Sequence, residues 1–169
     1  MSRKKRIILA VVAIAAAALC GILAWRVYQV NRLETVHRVI QEAWDREQPE
    51  DMPEYLQYLD MYSDFSIEKI EKGDPWVVTV RVRGVDLAEQ LKNTDPELFD
   101  GDTPEWKLDQ YLKELVIRAD IVYVDCFVYL FPEEEGYRVR FTETFVDAMS
   151  GMTLTYAREM VEDLVGGAK

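Results

Sequence analysis

Residues 121–145 read IVYVDCFVYLFPEEEGYRVRFTETF, and their pattern predicts the centre of a β-sheet. Ile121 to Phe131 is apolar on both faces except for Asp125, which predicts a central strand covered on each side. Pro132 to Gly136 is a turn, and apolar residues then alternate with polar ones from Tyr137 to Phe145, as in a half-buried strand. We therefore expect two antiparallel strands joined by a short turn.

A second strand pair is expected earlier in the chain. Phe65 to Ile70 predicts a short strand, Lys72 to Pro75 reads as a turn, and Trp76 to Val82 alternates with period two. Apolar residues at helical spacing predict helices over about 31–47, 53–62, 86–92, 104–118 and 152–165. Consecutive antiparallel strands interleaved with helices make the fold class α+β, with helices packed on a curved sheet of about four strands.

An apolar segment precedes this domain. Residues 7–25 form one unbroken apolar run, and the four residues Arg3 to Arg6 before it are all basic. Nineteen helical residues span roughly 28 Å, close to the hydrocarbon thickness of a bilayer. Basic residues ahead of the run favour an N-terminus held in the cytoplasm. We therefore expect cytoplasmic residues 1–6, a transmembrane helix 7–25 and an extracytoplasmic domain 26–169 in a single-pass protein of a bacterial-type cell membrane.

A cleaved signal peptide is the main alternative to a retained anchor. Ala16 to Ala18 offers small residues at which cleavage could occur. The apolar run continues past that point to Trp25, which a signal peptide does not need, and this favours the anchor. Bacterial lipoprotein signals resemble one another in having a small residue directly before the cysteine that carries the lipid. Leu19 occupies that position before Cys20, so lipid attachment at Cys20 is disfavoured.

The charge of the chain excludes one class of partner. When Arg26 is counted with the apolar segment, all 31 acidic residues and fifteen of the 20 basic residues lie beyond it, which leaves that part of the chain near −16. No basic stripe is available to neutralise phosphates, so nucleic acid is not an expected partner.

No cofactor and no metal are expected either. His37 is the only histidine, which excludes a histidine-rich metal site. The acids from Asp95 to Glu105 lack the spacing of an EF-hand loop, and acids ahead of a helix are expected from its dipole. Cys126 lies among apolar residues with no basic neighbour, so it reads as a core residue rather than a reactive thiol.

The order of elements over residues 31–165 resembles the small α+β domains of the NTF2-like and cystatin-like type. In such domains, helices cover one face of a curved antiparallel sheet. The resemblance rests on element order, and the final helix and the four strands depart from the NTF2-like pattern. It implies a cone-like hollow, which relatives either use for ligands or fill as packed core.

Two carboxylates are the candidate catalytic residues. If Phe131 pairs with Tyr137, Asp125 lies directly opposite Glu143 at ~5 Å, near Tyr123 in the hollow. Two carboxylates so close in an apolar site cannot both ionise cheaply, so the pKa of one would rise. Such a pair resembles the acid-base sites of NTF2-like isomerases and dehydratases. A one-residue change of register separates the two side chains, and we favour two exposed carboxylates.

These observations favour a non-enzymatic role in binding or envelope assembly. The alternative is a small-molecule binder or a carboxylate-dependent enzyme that uses the hollow near Asp125 and Glu143. Partners would be the membrane, through residues 7–25, and an envelope protein or a second copy of the chain. Self-association is expected because the helices can fully cover only one of the two apolar faces of the strand 121–131.

Overall fold

The computed structural model describes residues 3–94 and 103–166 of the chain. The chain consists of two compact units, Met1–Val39 and Ile40–Lys169. The first consists of the N-terminal part of a long helix, and the second contains the sheet and the other helices of the described residues.

In chain order the elements are α1 Arg3–Glu47, α2 Glu54–Tyr62, β1 Asp64–Glu71, β2 Trp76–Val85, α3 Leu87–Lys92, α4 Glu105–Arg118, β3 Ile121–Glu133, β4 Gly136–Phe141, α5 Glu143–Met149 and α6 Thr153–Gly166. The predicted α+β class is confirmed. The helix expected over 31–47 continues from the N-terminal segment as one helix, since no proline interrupts it before Pro49.

Among the described residues, no helix is long and apolar enough to cross a bilayer. The predicted transmembrane helix 7–25 falls partly outside this description, because it includes residues 7–17, whose side chains are not described. The transmembrane segment stays a prediction.

The sheet is a four-stranded antiparallel meander in the order β1-β2-β3-β4, which confirms the expected strand number. The longest ladder joins β2 to β3 and pairs Trp76 with Leu130 at one end and Val85 with Ile121 at the other. The outer strand β1 follows β2 with an irregularity between Ile67 and Lys69. Because β2 and β3 occupy the centre, their side chains determine what each face of the sheet presents.

The β3–β4 hairpin corrects the predicted register. Glu133 pairs with Gly136 across a two-residue turn, so Phe131 lies opposite Arg138 and not opposite Tyr137. Gly136 has φ +110°, a backbone conformation that side-chain-bearing residues rarely adopt. A glycine at this position allows the tighter turn, and the register shifts by one residue relative to the prediction.

The strand predicted to run to Phe145 is also shorter than expected. β4 ends at Phe141, and the short helix α5, which the period-two pattern concealed, begins at Glu143. Thr142 caps this helix, since its Oγ1 accepts a hydrogen bond from the Phe145 amide at 3.3 Å. A capping threonine followed by an acid is a helix-start signal, and it is compatible with the helix that the structure shows.

One face of the sheet is covered by α5 and the end of α1. Val78, Val80 and Val82 of β2 are fully buried on this face. Phe145 of α5 packs on them and stacks with Phe141 at a ring separation of 4.9 Å, and Trp44 of α1 meets both phenylalanines edge-on. Other buried residues of this core are Ile40, Phe65, Cys126, Val128, Leu130, Ala148 and Met149.

The close approach of α5 to β2 depends on a glycine. A Cβ atom at Gly84 would lie 2.6 Å from the carbonyl oxygen of Ala148, which no relaxation of side chains relieves. The backbone of α5 therefore rests directly on the strand.

A second apolar cluster is built by α2, α3 and α4 at the Val85 end of the sheet. Its buried members are Leu59, Val85, Leu87, Leu115 and Val116. Tyrosines and leucines of the same helices surround it and are partly buried. These helices therefore pack mainly on one another and on the end of β2.

α6 is attached to the domain through a buried carboxylate. Asp147 of α5 is 5% exposed, and its Oδ1 accepts hydrogen bonds from the amides of Leu154 at 2.8 Å and Thr155 at 3.2 Å. The Thr155 hydroxyl donates to Oδ2 of the same carboxylate. Amides of a first helical turn have no partner within the helix, so Asp147 fixes where α6 begins.

We predict that Asp147→Ala lowers the free energy of unfolding by about 2 kcal/mol, because it leaves two partly buried amides and the Thr155 hydroxyl without their acceptor. Asp147→Asn keeps one carbonyl acceptor and should lose less. Urea denaturation of the full chain measures both, with Glu162→Ala, an exposed acid of α6, as the control. A loss at Asp147→Ala no larger than at Glu162→Ala would contradict the role of this carboxylate.

Candidate functional site

The structure places Asp125 beside an arginine and not beside a carboxylate. Arg81 of β2 lies directly opposite it, and the guanidinium donates two hydrogen bonds to the carboxylate, at 2.7 Å and 3.1 Å. Hydrogen bonding to Arg81, together with its charge, holds the pKa of Asp125 below the ordinary aspartate value. Both side chains are about half exposed, so this is a solvated ion pair.

Glu143 lies in the first turn of α5 and not on β4. Its carboxylate forms an ion pair with Arg158 of α6. The change of register and the early end of β4 remove the predicted contact between Glu143 and Asp125. The structure thus gives each of the two carboxylates its own arginine and does not bring them together.

Tyr123, the third candidate, is 66% exposed on the same face as Asp125. It borders a shallow pocket of about 190 Å³ with Arg81, Arg83, Asp64, Phe65 and Ser66. Neither Asp125 nor Glu143 lines this pocket.

Cys126 lies in the core, as predicted. It is 2% exposed, and burial, with a smaller contribution from Asp125, raises the pKa of its thiol to about 11. The thiolate is therefore not populated at neutral pH. Most of the acids from Asp95 to Glu105 lie outside the described residues. Within the described part of the chain, no group of three or more possible metal ligands is present.

The face of β3 that carries Asp125 is open to solvent, and here the prediction of a strand covered on both sides is wrong. Ile121 is 50% exposed and Phe127 is 48% exposed, while Tyr129 and Phe131 are half-buried. The helices cover the opposite face, because that face holds the continuous run of valines. We call the surface formed by the exposed and half-buried residues of this face the open sheet face; its members are Ile121, Tyr123, Phe127, Tyr129 and Phe131.

Arginines surround the aromatic residues of the open sheet face. Arg81 and Arg83 come from β2, and Arg138 and Arg140 come from β4. The Arg138 guanidinium lies over the Phe131 ring at 4.6 Å. Strands β2 to β4 contribute four arginines to this face and the acids Asp125 and Glu133, whereas the chain as a whole has a net charge of −11.

A deep apolar groove lies away from the sheet, among α2, α3, α4 and α6. Its volume is about 560 Å³, which is within the range of small-molecule sites. Leu59 and Leu87 are buried at its base, and Met160 of α6 is 47% exposed. The other lining residues are Tyr55, Leu56, Leu91, Lys92, Thr94, Leu112, Thr153 and Tyr156. We call this feature the helical groove.

Two acids outside the lining contact lining residues of the helical groove. Lys92 Nζ lies 2.8 Å from Glu159 Oε2, and both side chains are about half exposed. At another point of the lining, the Tyr55 amide donates to Asp109 Oδ1 at 3.1 Å. Burial, and then the charge of Asp109, raises the pKa of the Tyr55 phenol, which is therefore neutral at physiological pH.

The sequence did not indicate the helical groove. Its residues form the apolar stripes of four helices, which read equally well as core. One indication was nevertheless present in the sequence. A four-stranded sheet with one covered face cannot bury the apolar stripes of all the predicted helices, so some apolar helix surface had to remain open.

Comparisons with protein-family models, with curated proteins and with solved structures find no match to this chain. The site must therefore be interpreted from its own geometry.

We predict that Asp125→Asn lowers the urea midpoint slightly at about pH 7. The folded-state pKa of Asp125 is lowered, so its stabilisation is present above the ordinary aspartate pKa and is lost as pH falls through the lowered value. The difference from the wild type should therefore shrink towards about pH 3. Glu134→Gln, in the exposed hairpin turn, is the control. A gain in stability at about pH 7, as expected for two facing carboxylates, would contradict the Arg81–Asp125 pair.

Proposed function

We propose that this chain is a membrane-anchored, extracytoplasmic binding protein without enzymatic activity, which contacts another protein of the cell envelope through the open sheet face. The proposal has two parts, the anchor and the binding surface, and each part has its own test.

The observation that carries the binding role is the exposure of large apolar side chains on one continuous face. Ile121, Tyr123 and Phe127 lie on alternate positions of β3, and each is about half exposed or more. Aromatic residues and arginines are enriched in protein–protein contacts, because they bury large areas and also offer hydrogen bonds. The open sheet face carries both tyrosine and arginine, although the chain as a whole is acidic. This composition supports a role for the face as a contact surface.

Charge indicates the kind of partner. On β2 to β4, away from the acids Asp64 and Glu71 that β1 adds to this face, the arginines outnumber the acids, so the same area of a second copy would meet it with like charges. A partner whose contacting surface is acidic and carries apolar residues suits both the arginines and the aromatic rings. Self-association through this face is the competing outcome.

The anchor is supported by the residues just before Arg26. Leu19, Ile22, Leu23 and Trp25 are 57–62% exposed, which is costly in water and favourable in lipid. Trp25 and Tyr28 lie with ring centres 6.1 Å apart at the end of the apolar run. Tryptophan and tyrosine are enriched where a transmembrane helix meets the membrane surface.

We predict that a photo-crosslinking amino acid at Phe127 forms a specific adduct in intact cells, whereas the same group at Met61 does not. Met61 of α2 is 72% exposed and lies off the sheet, so it is the matched control. Reversing charge at Arg138 and Arg140 to glutamate should reduce the Phe127 adduct severalfold. Lys107→Glu, on α4, should leave it unchanged.

The mass of the adduct distinguishes the outcomes. An adduct with twice the mass of the chain would show self-association and overturn the acidic partner. An adduct of another mass that is insensitive to the arginine reversals would overturn the charge argument. Equal labelling at Phe127 and Met61 would leave the open sheet face without a binding role.

We predict for the anchor that a cysteine in place of Glu134 reacts with a membrane-impermeant maleimide in intact cells. A cysteine in place of Ser2 should react only after permeabilisation. Both variants are made with Cys20→Ala, and Cys126 needs no replacement because it is buried and its thiol pKa is about 11. The opposite labelling pattern would show the reverse orientation, and labelling of neither residue before permeabilisation would place the domain in the cytoplasm.

A further inference from the structure

Trp106 is a large apolar side chain that the packing of α4 leaves in solvent. It lies in the first turn of the helix and is 70% exposed. Leu115, which α4 buries, follows about two and a half turns later, so the two side chains lie on opposite sides of the helix. An indole in solvent contributes little to the folded state, whereas tryptophan is among the residues that contribute most to protein–protein contacts.

Trp106 borders two depressions of the surface. The larger, of about 710 Å³, reaches from Trp106 to Met52 and Pro53, which precede α2. The smaller, of about 330 Å³, lies along α4 and includes Tyr111. Leu108 also lines both depressions. A molecule that covers Trp106 can therefore place groups in either depression, and we call the two depressions together the tryptophan groove.

The larger depression of the tryptophan groove is acidic. Asp51, Glu105 and Asp109 line it, and none of its described lining residues is basic. Asp51 and Glu105 are exposed, while Asp109 is half-buried and accepts a hydrogen bond from the Tyr55 amide at 3.1 Å. The N-terminus of α4 offers only about half a positive charge against these three carboxylates, so the depression is negative.

An exposed indole beside carboxylates matches one side chain in particular. The guanidinium of arginine forms paired hydrogen bonds with a carboxylate and stacks on aromatic rings, and tryptophan attracts cations more strongly than tyrosine or phenylalanine. The chain itself contains such a contact, in which the Arg138 guanidinium lies over the Phe131 ring at 4.6 Å. A net charge of −11 adds a long-range attraction for a basic partner.

We propose that the tryptophan groove docks a segment of another protein in which an arginine stands next to an apolar residue. The guanidinium lies between Trp106 and the carboxylates of Asp51 and Glu105, and the apolar residue packs against Leu108. Sites for small molecules bury most of the ligand, whereas the acids and the indole here are exposed, which suits a chain that keeps one side in solvent.

This proposal does not rest on the proposed function. The open sheet face presents arginines and takes an acidic surface, whereas the tryptophan groove presents carboxylates and takes a basic one. Either surface can be occupied while the other is empty, so the failure of one proposal leaves the other standing.

The probes are three acetylated and amidated hexapeptides of glycine and serine that share one leucine. They differ only in the residue before the leucine, which is arginine, its uncharged analogue citrulline, or glutamate. The full chain, labelled with 5-fluorotryptophan, is held in phosphatidylcholine nanodiscs and observed by fluorine NMR. The chain has four tryptophans, and the Trp106 signal is the one that Trp106→Phe removes. The other three signals are internal controls, among them Trp44, which is 6% exposed in the core.

We expect the arginine peptide to shift the Trp106 signal at a concentration about tenfold lower than the glutamate peptide, with the citrulline peptide between them. The other tryptophan signals should stay in place. In about 1 M sodium chloride, where the Debye length is about 3 Å, most of the preference for arginine should be lost.

Matched variants locate the cation. Glu105→Gln and Asp51→Asn should each weaken binding of the arginine peptide severalfold and leave the citrulline peptide unchanged. Asp60→Asn removes the same charge from an exposed position of α2 that is not among the described lining residues, so it should change neither titration. An unaltered Trp44 signal in each variant shows that the core has kept its fold.

Four results would overturn the proposal. No shift of Trp106 with any peptide at millimolar concentration would remove the groove as a docking site. Equal affinities for the three peptides, or a preference for glutamate, would exclude a basic partner. Equal losses in Glu105→Gln and Asp60→Asn would show an effect of net charge without a located cation. A Trp106 shift that grows with the concentration of loaded nanodiscs, without peptide, would show a second copy of the chain as the occupant.

Discussion

The packing of α5 and the end of α1 onto the central strands β2 and β3 is the interaction on which the rest of the domain depends. Val78, Val80 and Val82 are fully buried there, and Phe145 fills the space between the strands and Trp44. Because no side chain separates α5 from Gly84, both the position of the helix on the sheet and its distance from the strand are fixed. The open sheet face and the position of α6 both follow from which face of the sheet this packing covers.

Covering one face leaves the other open, and it also positions α6. Asp147 belongs to α5, so the carboxylate that holds the first turn of α6 is anchored in the same core. α6 in turn supplies Met160 and Tyr156 to the helical groove. The groove and the open sheet face are thus two consequences of one packing arrangement, although they share no lining residue.

Much of this fold could be predicted from the sequence. The period-two pattern of Trp76 to Val82 and the helical stripes gave the α+β class and four strands, because burial against a core imposes those periods. The end of β4 could not be read from period alone. Thr142 and Glu143 start a helix within a pattern that also suits a strand, and only tertiary packing of Phe145 decides between them.

The candidate carboxylate pair depended on the same ambiguity. A register difference of one residue, together with the early helix, determines whether Asp125 meets Glu143 or Arg81. Turn length of this kind is set by the φ of one glycine, Gly136, and is not encoded in hydrophobic spacing. The open face of β3 was likewise hidden, since both faces of the strand are apolar and sequence does not show which one the helices take.

The two outer strands determine how another molecule can approach the sheet. β1 loses regular pairing between Ile67 and Lys69, and β4 is only six residues long with arginines at alternate positions. Irregularity, short length and positive charge are the features by which natural sheets resist the addition of a further strand. Growth of the sheet by edge-to-edge pairing, the usual route to fibrous aggregates, is therefore discouraged at both margins. An incoming protein would have to lie flat across the side chains, and recognition would rest on side-chain chemistry with little contribution from backbone pairing.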